Sequence, residues 1–99
     1  VENVSETFKQ VKIYVTIKRE HTDKSQLMLC QKIKNEYSTY SNIIICIYET
    51  SDEGYKLARG LSQVITTPIQ KEAWLAMYTY NQVEGEYFDN MPTRYMGSN

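Results

Sequence analysis

Polar and apolar positions alternate strictly along Val11–Lys18. Val11, Ile13, Val15 and Ile17 fall on one side and Lys12, Tyr14, Thr16 and Lys18 on the other. A period of two predicts a β-strand with one face in a core and one amphipathic face. The run Asn42–Tyr48 is different: Ile43, Ile44, Ile45, Cys46, Ile47 and Tyr48 leave no polar side. So short, β-branched and apolar a run, bounded by Ser41-Asn42 and Glu49-Thr50-Ser51-Asp52, predicts a strand covered on both faces at the centre of a small sheet. Between them, Asp23–Tyr40 carries Leu29, Cys30, Ile33, Tyr37 and Tyr40 on one helical stripe, with Lys32, Lys34, Asn35 and Glu36 on the other. Asp23 and Gln26 supply a start signal for this helix. Strand, helix, strand in this order predicts a right-handed crossover with the two strands parallel.

Downstream, Ser51-Asp52-Glu53 has the composition of a helix N-terminus, and Tyr55–Arg59 a turn or two stopped by Gly60. Leu61–Thr66 reads as an edge strand before Pro68. Ala73–Tyr80 reads as an aromatic-rich strand that Asn81–Gly85 turns back into a hairpin partner at Glu86–Phe88. Val1–Thr7 lacks periodicity and reads as a flexible linker or frayed end. Asp89–Asn99, with Pro92 and Gly97, reads as an irregular tail. Residues 8–99 then form a single α+β domain: a small mixed sheet of three or four strands with one main helix packed on one face. Neither an internal repeat nor a low-complexity tract is present.

The length of 99 residues suits one compact core, in which a chain of this size buries roughly 60–65% of its extended surface. Eleven basic and twelve acidic side chains leave a net charge of -1, which argues against nucleic acid as partner, because phosphate contacts demand a basic excess. The longest apolar run is far short of the roughly 20 residues that cross a bilayer. The chain begins at Val1. This is read as the trace of a removed upstream segment, either a signal or anchor of a processed, exported bacterial protein or residues trimmed before expression. The extracytoplasmic reading is preferred, with the cytoplasm as its alternative. A bond between Cys30 and Cys46 is geometrically open, but two buried free thiols are favoured. Asn3-Val4-Ser5 is a glycosylation sequon, meaningful only on a eukaryotic secretory route.

Catalytic signals are sparse. His21 is the single histidine, without a second metal ligand at useful spacing, and reads as a solvated loop residue. Neither cysteine has a neighbouring histidine or a Cys-x-x-Cys arrangement, and a thiol in apolar surroundings is inert. The chain has no Gly-rich phosphate loop, Gly-x-Ser-x-Gly elbow or zinc spacing. Two acidic groups remain, Glu49, Asp52 and Glu53 after the central strand and Glu84, Glu86 and Asp89 around the hairpin. Neither matches a calcium loop. Helix capping and a solvated turn are the favoured readings. No cofactor and no metal is expected.

The remaining signal comes from strand parity. If Val11, Ile13, Val15 and Ile17 lie under the helix with Ile43, Ile45 and Ile47, the opposite face carries Tyr14, Ile44, Cys46 and Tyr48. Leu75 and Met77 would join the helix side, and Trp74, Ala76, Tyr78 and Tyr80 the tyrosines. That predicts an aromatic binding face of Tyr14, Tyr48, Trp74, Tyr78 and Tyr80, interleaved with Lys12, Thr16 and Lys18. Such a face binds partners by stacking, and a protein partner or self-association is expected. The alternatives are that Tyr55–Ile69 or the aromatic C-terminal tail covers it, or that two copies pair across it. A bulge of one residue in the last strand would reverse its parity.

The succession Lys12–Ile17, a helix with Leu29 and Ile33, Asn42–Tyr48 and later Ala73–Met77 resembles a small βαβ-plus-β domain of bacterial exported or anchored proteins of unassigned function. The resemblance covers about two thirds of the chain. It rests on hydrophobic patterns, implies a fold and a compartment, and transfers no site residue. The function expected is a non-catalytic binding or interaction module. Its competitors are a small hydrolase or metal-dependent enzyme using the acidic clusters, and a structural domain of a larger exported protein.

Overall fold

The alternating and the apolar runs both become strands of one sheet. The structure, a computed structural model, describes residues 1–7, 9–18, 22–60 and 68–92. The elements in order are β1 (Asn3–Thr7), β2 (Gln10–Ile17), α1 (Asp23–Glu36), β3 (Asn42–Glu49), α2 (Asp52–Ala58), α3 (Pro68–Ala73), β4 (Trp74–Asn81) and β5 (Gly85–Asp89). The fold is α+β. Its five strands lie in the order β1-β2-β3-β4-β5, with β3 in the middle, β2 and β3 parallel and every other pair antiparallel. The residues expected to form an edge strand at Leu61–Thr66, His21, and the tail beyond Pro92 lie outside the described residues.

The first correction concerns the N-terminal segment, expected to be a linker. Asn3–Thr7 is a fifth strand, paired with β2 from Asn3↔Tyr14 to Thr7↔Gln10. Its turn includes Lys9 at φ 66°, a left-handed conformation that hairpin turns usually assign to Gly or Asn. Glu2 ties the segment down further. It accepts from the Thr16 hydroxyl at 3.2 Å and from Arg59, just past α2, at 3.0 Å.

The helix α1 is shorter than its apolar stripe. Thr22, not Asp23, is its N-cap: the Thr22 hydroxyl accepts from the Ser25 amide at 3.1 Å, and the Ser25 hydroxyl returns a bond to the Thr22 carbonyl at 3.0 Å. Asp23 instead accepts from the Asn90 side chain at 2.6 Å, linking α1 to the end of β5. The helix stops at Tyr37, whose backbone leaves helical values while its N–H still reaches Ile33 and Lys34. Tyr40 therefore packs on the core from the following turn.

Burial of Cys30 and Ile33 from α1 against Val11, Ile13, Val15, Ile43, Ile45 and Ile47 makes the main core. A second, smaller core lies on the other sheet face. There Leu57 and Ala58 of α2 and Ala73 of α3 pack on Cys46 and Tyr48. The Ser51 hydroxyl caps α2 by accepting from the Gly54 amide at 3.1 Å, as its composition predicts. Gly54 lets α2 fold straight back over β3, since a Cβ there would overlap the carbonyl oxygen of Glu49.

Candidate functional site

The expected aromatic face is split by an irregularity in β4. Ile47 pairs with Ala76 and Tyr48 with Trp74, so Leu75 is an extra residue on its strand. A bulge of one residue exchanges the two faces of everything beyond it. Trp74, ahead of the bulge, therefore joins Tyr14 and Tyr48: the rings of Tyr14 and Tyr48 stack at 6.4 Å and 18°, those of Tyr48 and Trp74 at 6.4 Å and 23°. Tyr78 and Tyr80, beyond it, go to the α1 side with Ala76 and Leu75, while Met77 crosses to the Tyr48 side. The expected set of Tyr14, Tyr48, Trp74, Tyr78 and Tyr80 is thus not one surface.

Coverage divides the aromatic face again. The second helix seats Leu57 and Ala58 over Tyr48, leaving it 6% exposed. Part of the Tyr55–Ile69 segment is thus the cover, as the alternative anticipated. The Trp74 indole nitrogen is buried and has no hydrogen-bond partner among the described residues. Tyr14 is half-buried, with the Lys12 ammonium 5.5 Å from its ring centre.

Away from α2 the same face opens. Strand register places Ser5, Lys12, Ile44, Thr79 and Tyr87 in one row across all five strands, and Thr7, Gln10, Asn42, Asn81 and Gly85 in the next. Lys12, Ile44 and Thr79 are half-buried, Gln10 and Asn42 are exposed, and Tyr87 is 52% exposed. A cavity of about 220 Å³ lies here, lined by Gln10, Asn42, Ile44, Thr79, Asn81 and Tyr87 among others. Sequence reading placed Ile44 on this face but missed the carboxamides and Tyr87. Their signal was present, because Gln10, Asn42 and Asn81 all lie at strand ends, but only the register shows that the ends coincide.

On the α1 side, Tyr78 is fully buried and its hydroxyl donates to Glu86 Oε2 at 2.7 Å. Gln31 of α1 donates to Glu86 Oε1 at 3.0 Å, and the Lys34 ammonium stands 4.6 Å over the Tyr80 ring. The hydrogen bond from Tyr78 holds the Glu86 carboxyl below its ordinary value, with Gln31 and Lys34 adding to the effect. Burial, and then the same bond, pushes the Tyr78 hydroxyl up. This cluster pins the β4–β5 hairpin to the helix.

The acidic groups do not assemble as ligand sets. Glu84 accepts from Asn81, Glu86 is engaged by Tyr78 and Gln31, and buried Asp89 accepts from the Met91 amide at 2.8 Å. Glu84 and Glu86 line one cavity, but each carboxylate is engaged by its own partners, and Asp89 lies outside that lining. Glu49, Asp52 and Glu53 do adjoin one cavity of about 300 Å³, which Glu72 also lines, and Glu53 pairs with Lys56 at 3.8 Å. Among the described residues, no three His, Cys, Asp or Glu side chains are placed to hold a metal ion. The cysteines are both free and buried, Cys30 in the α1 core and Cys46 in the α2 core, with the sheet between them. Burial pushes the Cys30 thiol up to about 12 and that of Cys46 upward as well, so neither is a thiolate nucleophile at neutral pH.

No helix among the described residues is long and apolar enough to cross a membrane. Comparison with known proteins finds no matching family model, no similar curated protein and no matching solved structure.

Proposed function

We propose that the chain is a non-catalytic binding module that engages its ligand through the open half of the sheet face opposite α1. The observation that carries this reading is the uneven cover of that face. One end is sealed by α2 and α3 over Tyr48, while the other presents Ile44, Thr79 and Tyr87 around a cavity, with Lys12 and half-buried Tyr14 beside it on β2. A largely pre-formed concavity with a few convergent polar groups is the usual form of a small-ligand site. The reading keeps Tyr14 from the sequence-predicted set and gives Tyr48 and Trp74 a supporting role beneath α2.

Amide NMR spectra recorded against a panel of peptides, saccharides, nucleotides and divalent cations test it. Shifts gathered at Lys12, Ile44, Thr79 and Tyr87 are expected. Calcium or magnesium shifts gathered at Glu49, Asp52 and Glu72, together with hydrolysis of chromogenic esters, would transfer the assignment to the enzyme class.

A further inference from the structure

Resting on that reading, we infer that the cavity beside Asn42 and Tyr87 is a subsite for a neutral carbohydrate, with an adjoining depression for the next sugar unit. The chemistry of the lining selects this class. Among the described residues no Lys, Arg or His lines the cavity, and two glutamates do, so an anion such as phosphate meets repulsion from its lining. A cation fares no better. Glu86 is engaged by Tyr78 and Gln31 on the α1 side, and Glu84 accepts from Asn81, so the two carboxylates do not converge. A purely apolar ligand would strand the carboxamides that make up one wall.

What remains is a neutral ligand rich in groups that both donate and accept. A carboxamide does both in one plane, as a sugar hydroxyl requires. Gln10, Asn42 and Asn81 occupy consecutive strands at paired positions. Neighbouring strands lie about 4.8 Å apart, close to the separation of alternate equatorial hydroxyls on a pyranose ring. Neither Gln10 nor Asn42 has its side chain engaged by another described residue. Asn81 is fixed in orientation, since its Oδ1 accepts from the amides of Val83 and Glu84 at 2.8 and 2.7 Å. Thr79 adds a hydroxyl and Ile44 an apolar floor. Tyr87 supplies an exposed ring whose electron-rich face suits the C–H face of a sugar. A second cavity of about 370 Å³ continues past the hairpin turn and shares Asn42, Asn81 and Glu84 with the first. The ligand is therefore an oligosaccharide, bound along the end of the sheet.

The test is titration of the intact chain with glucose, galactose, mannose and N-acetylglucosamine and with α- and β-linked oligomers of each, followed by amide NMR and calorimetry. At least one neutral oligomer should shift the amides of Asn42, Thr79, Asn81 and Tyr87 and bind more tightly than its monosaccharide. The Asn42→Ala and Tyr87→Ala variants, both at exposed positions, should each weaken that binding about tenfold with an unchanged melting temperature. If no saccharide moves these amides while a peptide or nucleotide of the same panel does, the carbohydrate assignment falls and the binding face stands. If no probe moves them, both fall.

Discussion

Tyr78 and Glu86 are joined hydroxyl to carboxylate over 2.7 Å, from a fully buried ring on β4 to an exposed acid on β5. This bond and the Gln31 amide depress the Glu86 carboxyl below 4.5. A depressed acid stabilises the fold while it is charged. Its contribution is therefore complete above pH 4.5 and is lost as pH falls through the lower folded value. Tyr78→Phe should return the Glu86 carboxyl toward 4.5, read by NMR titration, and cost about 0.5–1.5 kcal/mol at neutral pH. An unmoved Glu86 titration would show that Gln31 and Lys34 hold the carboxylate alone.

At high pH the sign reverses. Burial raises the Cys30 and Cys46 thiols from 9.0, the former to about 12, and raises Tyr48 and Tyr78 from 10.0. The folded chain holds these protons more tightly than the unfolded one. Stability should thus be level below about pH 9 and fall as pH rises through 9 to 12. Thermal melts across that range check it. A disulfide-exchange reagent should leave both thiols unmodified in the folded chain at pH 8 and titrate both after unfolding.

Gly54→Ala tests how α2 is seated. The new methyl group would overlap the Glu49 carbonyl oxygen, so α2 must lift from β3 at a cost of about 1–3 kcal/mol or more. Because Leu57 and Ala58 cover the Tyr48–Trp74 pair, Trp74 fluorescence should shift to longer wavelength. A variant with native stability and emission would contradict the close approach.

Neighbouring isoleucines on β3 report on the two faces. Ile45 is completely buried in the α1 core and Ile44 is half-buried on the open face. Ile45→Ala should destabilise by about 2–5 kcal/mol through lost burial and a cavity. Ile44→Ala should cost about 1 kcal/mol, in proportion to its smaller burial. Equal losses in urea melts would overturn the parity of the central strand.

Much of this architecture follows from side-chain periodicity in single segments. Alternation from Val11 to Ile17, the apolar stripe at Leu29, Cys30 and Ile33, and the two-sided apolar run at Ile43–Tyr48 each state their own burial, and together they dictate the parallel β2–α1–β3 unit. Ser51 and Asp52 likewise mark the start of α2, because capping is a contact within one turn. The N-terminal strand was not legible, since Asn3–Thr7 has no periodic pattern and its turn uses Lys9 where Gly or Asn would announce a hairpin. It is a strand because β2 offers it an unpaired edge. The composition of the open sheet face was decided at still longer range. Leu75 bulges only in the pairing of β4 with β3, and that single extra residue sends Tyr78 and Tyr80 beneath α1 while leaving Trp74 beside Tyr48. Register likewise brings Gln10, Asn42, Asn81 and Tyr87 together. A strand's own sequence records which residues alternate; hydrogen bonding to its neighbours decides where the alternation is broken and what lies alongside.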